Sequence, residues 1–477
     1  MTQQNPAAAY EAKKSNRYRN LTLLVLVLGT ALRLLLCWAN PPDNTFDNHF
    51  RPISLILETG HIPAKNACFE CYNPPVFYLG SALVAKLLFQ SGATEELVTK
   101  ALQLVNCLYG ILTLPVIYLI LRRFRLSDFS RLLTLGVICF LPRHIYMSAM
   151  HSNDGLTYLA VAVCAWLLLV AIDRELRWPW ALVLGASLSL AIFVKYTAFV
   201  VLPMAALPLA ALLIVGSELP RPRVAAALVL ALLPPLLFLG SYMVQNVKDD
   251  GRLLPWNDNM FDTSVKQPRD PGGASLVNFK PWQFIVEPIV VPGQMQSFWT
   301  LVYCGTWFDC EPKFTNFTDR NETWWSQYCY WLGGKETFPN SAPPLSVSTR
   351  LLAGGLIAGG LVPLGLIFAG LFGSLRRLAS RKGPGLSIES AKLLAFPTLF
   401  VFNAAGIVLL ALKAPVYSSM KASYFLNSLP FFALFLALGL EAARERKGLV
   451  APLGMALVLL MAFAALHVLD IAWSLLA

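Results

Sequence analysis

Charged residues are scarce in this sequence. They make up 14% of the 477 residues, whereas soluble globular chains carry about 25%. Hydrophobic residues make up 56%, and the mean hydropathy is +0.57. So little polar surface excludes a disordered chain, a collagen, a small disulfide scaffold and an ordinary cytosolic enzyme. The composition instead predicts an all-α, polytopic transmembrane protein.

Acidic residues are outnumbered by basic ones. The formal net charge is +11, from 38 basic and 27 acidic residues. The basic residues gather in short clusters between apolar runs, as the positive-inside rule predicts for cytoplasmic loops. We therefore expect membrane lipids as surroundings and no nucleic-acid partner. An inverted-repeat transporter is not indicated either, because the sequence shows no internal repeat.

Eleven apolar runs are predicted to span the membrane, since a span needs roughly 20 apolar residues. With the N-terminus in the cytoplasm and the C-terminus outside, all six major basic clusters fall on the cytoplasmic side. The predicted spans are 21–38, 102–121, 132–150, 155–172, 180–194, 197–215, 224–244, 351–375, 393–412, 424–440 and 449–469.

This topology divides the chain into four parts. They are a cytoplasmic N-terminus at 1–20, a transmembrane catalytic module at 21–244 with an outer loop at 40–100, an extracytoplasmic loop at 245–348 and C-terminal transmembrane helices at 349–477.

The first outer loop contains one more apolar run, at 76–89. Its length of about 14 residues suits an interfacial helix better than a span. If this run crossed the membrane, the next span would place the basic cluster at 122–131 outside. We therefore expect an interfacial helix at 76–89.

The nine cysteines fall into two groups. Four lie within apolar spans, where cysteine acts as a small core residue. The other five lie in the two large outer loops, which favours disulfides in an oxidising compartment. Either Cys68 pairs with Cys71, or two of the remaining three pair. A zinc site at Cys68 and Cys71 is the alternative, but no second CxxC or histidine pair completes it. We expect no cofactor, and nothing indicates a divalent cation. The five outer cysteines are Cys68, Cys71, Cys304, Cys310 and Cys329.

Two outer carboxylates are candidates for chemistry. Asp47 follows the first span by about nine residues, and a partly desolvated carboxylate near the membrane can act as a general base. The alternative is a solvated loop acid. Asp154 is the second candidate, and by its spacing it is predicted to be the N-cap of the helix that Gly155 begins.

Three lysines lie on the predicted outer side, against the positive-inside trend. Charges near a bilayer face are functional candidates, and an ammonium group can bind a phosphodiester. The alternative for each lysine is snorkelling to the headgroups. Arg143 and His144 lie within an apolar run and form a second candidate pair, or else a hydrogen-bonded pair in the bundle interior. The three lysines are Lys195, Lys413 and Lys421.

Several short motifs occur in a recognisable order. Phe46-Asp47-Asn48-His49-Phe50 precedes the turn Tyr72-Asn73-Pro74-Pro75-Val76, and Ser152-Asn153-Asp154-Gly155-Leu156, Val194-Lys195-Tyr196-Thr197 and Lys421-Ala422-Ser423-Tyr424 follow. Over residues 20–440 this order resembles the GT-C superfamily of membrane glycosyltransferases. It resembles more narrowly the protein O-mannosyltransferase and aminoarabinose-transferase branch. Two departures are that His49 lies one residue closer to Asp47 than in the mannosyltransferase pattern, and that 245–348 has no matching piece.

The resemblance implies a hexosyl- or pentosyltransferase. Such an enzyme moves a sugar from a polyprenyl-phosphate donor to a protein, lipid or glycan acceptor on the extracytoplasmic face, with inversion. Asp47 would deprotonate the acceptor, and Lys195, Lys413 and Lys421 would bind the donor phosphate. The other candidate substrate-binding residues are His49, Tyr72, Asn73, His151, Asp154, Tyr196 and Tyr424.

Two other function classes stay open at this point. A transporter or flippase for a lipid or small solute would place charges mid-span, whereas this chain concentrates its polar residues in outer loops. A non-catalytic membrane scaffold would tolerate the loss of Asp47. A bacterial inner membrane is favoured over the endoplasmic reticulum, with the active side periplasmic or lumenal. The sequence identifies neither sugar nor acceptor.

Overall fold

The computed structural model describes residues 6–42, 48–254, 271–279, 297–310, 345–380, 385–413, 420–446 and 448–476. Within these residues the chain is helical and contains no β-strand. Short 3₁₀ helices lie at Tyr196–Val200, Pro271–Leu276 and Ala422–Ser428. The α-helices of this part are α1 Pro6–Ala39, α2 Phe50–Thr59, α3 Val76–Gln90, α4 Glu95–Leu121, α5 Asp128–Cys139, α6 Pro142–Ser148, α7 Asn153–Asp173, α8 Trp178–Ile192, α9 Val201–Ile214, α10 Arg221–Asp250, α11 Phe298–Trp307, α12 Val347–Gly359, α13 Leu361–Ala379, α14 Ile388–Lys413, α15 Leu429–Arg444 and α16 Val450–Leu476.

Nine helical segments of the described chain are long and apolar enough to cross a membrane. This confirms the predicted all-α, polytopic fold and supports a multi-pass integral membrane protein. Two predicted spans are not among the nine: 132–150 is divided into α5 and α6, and 180–194 corresponds to the 15-residue α8. The count of eleven spans stays a prediction. The nine segments are Asn16–Ala39, Glu95–Leu121, Asn153–Asp173, Tyr196–Ile214, Arg221–Asp250, Val347–Ala379, Ile388–Lys413, Ala422–Arg444 and Val450–Leu476.

Contacts between connecting segments define two ends of the bundle. At one end, Arg123 is 3.1 Å from Asp173 and Arg223 is 3.2 Å from Glu175. We call this the basic end, because the connections that meet there carry the arginine clusters. At the other end, here called the site end, α1 finishes and α4 and α7 begin. Which end faces the cytoplasm stays a prediction.

Helix α3 lies in the first loop of the site end and has two different faces. One face packs on α2 and α4 through a buried cluster that includes Ile53, Phe77 and Leu102. The other face leaves Leu83 and Leu87 about 60% exposed. The observed bounds agree with the predicted run at 76–89, and a helix with an exposed leucine face is what an interfacial position requires.

A buried arginine stabilises the break between α5 and α6. Helix α5 ends at Cys139, and α6 restarts at Pro142, which has no N–H to donate. The fully buried Arg33 of α1 donates to the Cys139 carbonyl at 2.7 Å, and its Nη2 lies 2.6 Å from Nδ1 of His144. Because arginine only donates, Nδ1 of His144 accepts. Arg33 therefore caps the interrupted helix where its dipole is negative.

Replacing Arg33 with methionine is expected to destabilise the protein by about 2–4 kcal/mol, because a buried carbonyl and a buried imidazole nitrogen would each lose a donor. The measurement is denaturant or thermal unfolding in detergent. Arg19→Met is the matched control, since Arg19 lies on the same helix with an exposed side chain. Equal stability of the two variants would contradict the capping role of Arg33.

Candidate active site

A buried ion pair lies at the site end of the bundle. Lys195 Nζ is 2.6 Å from Asp154 Oδ1, and each side chain is 12% exposed. Asp154 belongs to the first turn of α7, and Lys195 lies in the extended link after α8. The prediction that Asp154 is the N-cap was wrong: Ser152 is the N-cap, and its hydroxyl accepts the backbone N–H of Asp154. The Asp154 carboxylate is thereby left for Lys195.

Amide side chains of α4 fix the corner that precedes α7. Gln103 donates to the Ala149 carbonyl at 2.7 Å, and Asn106 donates to the Met147 carbonyl at 3.0 Å. These bonds satisfy carbonyls at the end of α6 that lack partners within the helix. Helix α7 also approaches Asn106 closely, since a Cβ added to Gly155 would lie 2.5 Å from Asn106 Oδ1. The start of α7, and with it Asp154, is held rigidly.

The surroundings of Lys195 keep it charged. Its ammonium lies 5.8 Å from the centre of the Tyr424 ring. Burial lowers the pKa of Lys195, but the carboxylate of Asp154, with smaller contributions from Tyr424 and Glu70, outweighs burial and leaves the pKa above its ordinary value. Lys195 is therefore a fixed positive charge at neutral pH.

A second buried cluster joins the first outer loop to α3. His49 Nδ1 is 3.0 Å from the Tyr78 hydroxyl and 3.9 Å from Glu70 Oε2. Asn73 donates to the same Glu70 oxygen at 2.6 Å. All of these side chains are buried except for a few per cent of their surface. Glu70 was not predicted as a site residue, although its position between two cysteines was a signal that this acid is held in place.

The cysteines of the two predicted outer loops differ in state. Cys68 and Cys71 form a disulfide, so neither is a thiolate for zinc. Cys304 and Cys310 are buried thiols in α11 and just after it. Cys329 lies outside the described residues.

His151 occupies an apolar pocket at the corner before α7. Its ring stacks on Phe50 at 4.4 Å and lies 5.2 Å from Phe77. Burial, with a smaller contribution from the neighbouring His49, lowers the pKa of His151 to about 3. His151 therefore packs α2 and α3 against the start of α7 as a neutral ring.

The low pKa of His151 predicts acid sensitivity. The pKa of His151 is near 6.5 in the unfolded chain and near 3 in the folded protein. Between these two pH values His151 is protonated in the unfolded chain and neutral in the folded protein. This contribution to stability is complete above about pH 6.5 and is lost as the pH falls, by about 1.4 kcal/mol per unit. His151→Gln should flatten the fall in unfolding free energy measured between about pH 6.5 and 5. Identical slopes for wild type and variant would exclude His151 as the source.

The other predicted site residues are placed as follows. The Tyr72 and Tyr196 rings lie 6.5 Å apart, beside the link that carries Lys195. Lys421 immediately precedes the 3₁₀ helix that carries Tyr424, and the Tyr424 N–H donates to the Lys421 carbonyl at 3.3 Å. Lys413 is the last residue of α14 and is exposed. Asp47 lies outside the described residues.

Arg143 and His144 serve the bundle interior. Arg143 Nε donates to the Gly305 carbonyl of α11 at 2.6 Å, while His144 accepts from Arg33. Both residues therefore form hydrogen bonds in the bundle interior, which was the alternative to a role in the site.

The described part of the site end brings together the ammonium group of Lys195, the buried carboxylates of Asp154 and Glu70, and several tyrosine rings. An ammonium group can hold a phosphate, carboxylates can accept protons, and tyrosine rings can stack on sugars. In the described ranges, no group of three or more His, Cys, Asp or Glu side chains is arranged to hold a metal ion.

One protein family matches part of this chain. Residues 73–238, about a third of the sequence, match the family described as dolichyl-phosphate-mannose-protein mannosyltransferase. The matched segment includes Asn73, Asp154 and Lys195, but neither Asp47 nor Lys421. No curated protein matches the chain significantly.

Two solved structures share the fold of this chain at low sequence identity, and a third matches with a TM-score too low to show a shared fold. The oligosaccharyltransferase of Archaeoglobus fulgidus in the apo form has a TM-score of 0.51 at 13% identity, over 94% of this chain and 56% of that one. Its complex with Zn and sulfate has a TM-score of 0.53 at 12% identity, over 93% and 53%. ArnT from Cupriavidus metallidurans in the apo state has a TM-score of 0.36 at 14% identity, over 91% and 78%.

This chain spans about half the length of the oligosaccharyltransferase structures. The family match and the shared fold support its assignment to the GT-C superfamily of glycosyltransferases. The predicted resemblance is thereby confirmed at the level of the superfamily.

Proposed function

We propose that this protein is a membrane glycosyltransferase that moves a hexose or pentose from a polyprenyl-phosphate donor to an acceptor on the extracytoplasmic face, with inversion. The observation that carries the proposal is the buried Asp154–Lys195 pair at the site end of a GT-C fold. Asp154 and Lys195 both lie in the segment that matches the family model. The description of that family names a dolichyl-phosphate sugar.

Lys195 is the donor-phosphate ligand with the strongest structural support. An ammonium group has three N–H donors, and the bond to Asp154 uses one. A phosphodiester bound beside it would meet a charge that is already ordered and partly desolvated, so little entropy is lost on binding. Lys421 and Lys413 supply further positive charge in this proposal, because both lie at the same end of the bundle.

Asp47 is the proposed general base. The departing lipid phosphate is acidic enough to leave without a proton, whereas the acceptor hydroxyl or amine must lose one. Asp47 lies two residues before His49 in sequence, and His49 is part of the buried cluster of the site end.

The remaining candidates are proposed to contact the sugar and the acceptor. Tyr72, Tyr196 and Tyr424 offer ring faces for a sugar, and His49 and Asn73 offer polar edges. His151 is proposed to support the site by packing and not to contact substrate directly, because Phe50 and Phe77 cover its ring. The acceptor class, a protein, a lipid or a glycan, is left open, as is the choice of a bacterial inner membrane or the endoplasmic reticulum.

Lipid binding tests the donor class. Undecaprenyl phosphate and dolichyl phosphate should each raise the melting temperature of the detergent-solubilised protein, whereas undecaprenol and dolichol at equal concentration should not. Retention of the phosphates, but not of the alcohols, in native mass spectrometry is the second readout. Equal stabilisation by phosphates and alcohols would overturn the proposed donor class.

A further inference from the structure

Glu70 is a buried carboxylate that the proposed mechanism has not used. It is 6% exposed and lies in the first outer loop. Its Oε2 accepts from Asn73 at 2.6 Å and lies 3.9 Å from His49 Nδ1. Burying a carboxylate is costly unless hydrogen bonds and opposite charges compensate. Here Asn73 supplies the hydrogen bond, and the charge of Lys195 lies within electrostatic reach.

Covalent and backbone restraints hold Glu70 in this position. The disulfide closes a ring from Cys68 to Cys71 that contains Glu70. Within the ring, the Cys71 N–H donates to the Cys68 carbonyl at 3.2 Å, and just beyond it the Asn73 N–H donates to the Glu70 carbonyl at 3.2 Å. These restraints fix the backbone at Glu70, and the hydrogen bond from the Asn73 side chain fixes the carboxylate.

Glu70 faces the segment where the first outer loop enters α2. His49 immediately precedes α2, is 3% exposed, and bonds the Tyr78 hydroxyl at 3.0 Å. Burial and the charge of Glu70 raise the pKa of Tyr78, so its hydroxyl keeps its proton. The titratable groups described around His49 are Glu70, Tyr78 and His151.

We propose that Glu70 is a positioning residue for the transfer reaction: fixed by the Cys68–Cys71 bridge, it orients His49 and Asn73 and thereby anchors the chain two residues after Asp47. The inference rests on the proposed function. Glu70 itself touches protein side chains, and its effect on catalysis passes through His49 and Asn73.

The test compares Glu70→Gln, which keeps the size but removes the charge, with Glu70→Asp, which keeps the charge. In Glu70→Gln we expect kcat to fall on the order of tenfold, with KM for the donor changed less than about twofold. Glu70→Asp should retain more activity than Glu70→Gln, whereas a packing role would make the shorter aspartate equally harmful. Glu58→Gln is the matched control, because Glu58 is 57% exposed on α2.

A second readout does not depend on turnover. The chain has five histidines, so the His49 ring can be assigned in NMR spectra of histidine-labelled protein by its loss in His49→Gln. Replacing Glu70 with Gln should shift the His49 ring resonances, because the carboxylate lies beside the ring, whereas Glu58→Gln should leave them unchanged. Replacing both Cys68 and Cys71 with serine should lower kcat like Glu70→Gln, and the two changes should not add, because they act through one contact.

The outcomes separate the two proposals. If the wild type consumes donor but Glu70→Gln has normal kcat or unchanged His49 ring resonances, the positioning role is wrong and the proposed function stands. If the wild type consumes no polyprenyl-phosphate sugar, the proposed function is wrong and the inference fails with it.

Discussion

Asp47→Asn is expected to lower turnover at least about a hundredfold while folding and donor binding are preserved. A protonated acceptor hydroxyl is a poor nucleophile, and a positioned carboxylate contributes roughly 10²–10⁴-fold by accepting its proton in the transition state. The swap is nearly isosteric and removes only the basicity. Turnover of a polyprenyl-phosphate sugar by purified protein is the measurement, with undecaprenyl phosphate binding measured on the same preparation.

Asp154→Asn distinguishes the two carboxylates. Asp154 is the ion-pair partner of Lys195, so Asp154→Asn should leave the Lys195 side chain less firmly positioned and thereby weaken donor binding. Normal turnover in Asp47→Asn together with an inactive Asp154→Asn would transfer the base role to Asp154. Normal turnover in both variants would leave the proposed mechanism without a base. A collapse in expression would count for neither carboxylate.

Lys195→Ala is expected to have the second largest effect. Charge-assisted hydrogen bonds contribute about 1.5–3 kcal/mol, so donor KM should rise by roughly 10–150-fold. The variant also leaves the Asp154 carboxylate buried without its lysine, a cost that can unfold a protein by itself. The donor dependence of the rate is the measurement. Acceptor KM should change much less than donor KM.

Two controls keep this result interpretable. Lys195→Ala combined with Asp154→Asn removes the stranded charge, so recovery of stability without recovery of donor affinity isolates phosphate binding. Lys86→Ala is the matched lysine control, since Lys86 is exposed on α3 at the same end. Unchanged donor saturation in Lys195→Ala and in Lys421→Ala would refute the phosphate role of these lysines.

Length and hydropathy predicted the helices well. The predicted run 155–172 falls within the observed helix Asn153–Asp173. The predicted run 76–89 is one residue shorter than the observed helix Val76–Gln90. Long apolar runs leave the chain few alternatives in a membrane, because every backbone group must bond internally. The break before Pro142 was not predicted, although a proline followed by Arg143 and His144 within an apolar run was a signal of an interrupted helix.

Charged residues in the site were predicted only in part. Lys195 stood out because lysine is rare in apolar surroundings, and the structure pairs it with Asp154. The pairing itself depends on how α7 and α8 meet, which no local pattern encodes. Arg33 was missed for the same reason, because its burial results from contacts with residues more than a hundred positions away. Glu70 was missed although the two cysteines beside it were a local signal.

Bond cleavage in sealed vesicles tests the central claim most directly. The purified protein is reconstituted with a polyprenyl-phosphate sugar and a membrane extract as acceptor pool, and mass spectrometry follows the donor, the released polyprenyl phosphate and their sidedness. We expect the wild type to convert the donor to polyprenyl phosphate and Asp47→Asn not to do so. Movement of intact donor across the bilayer without loss of its sugar would contradict the account and identify a flippase.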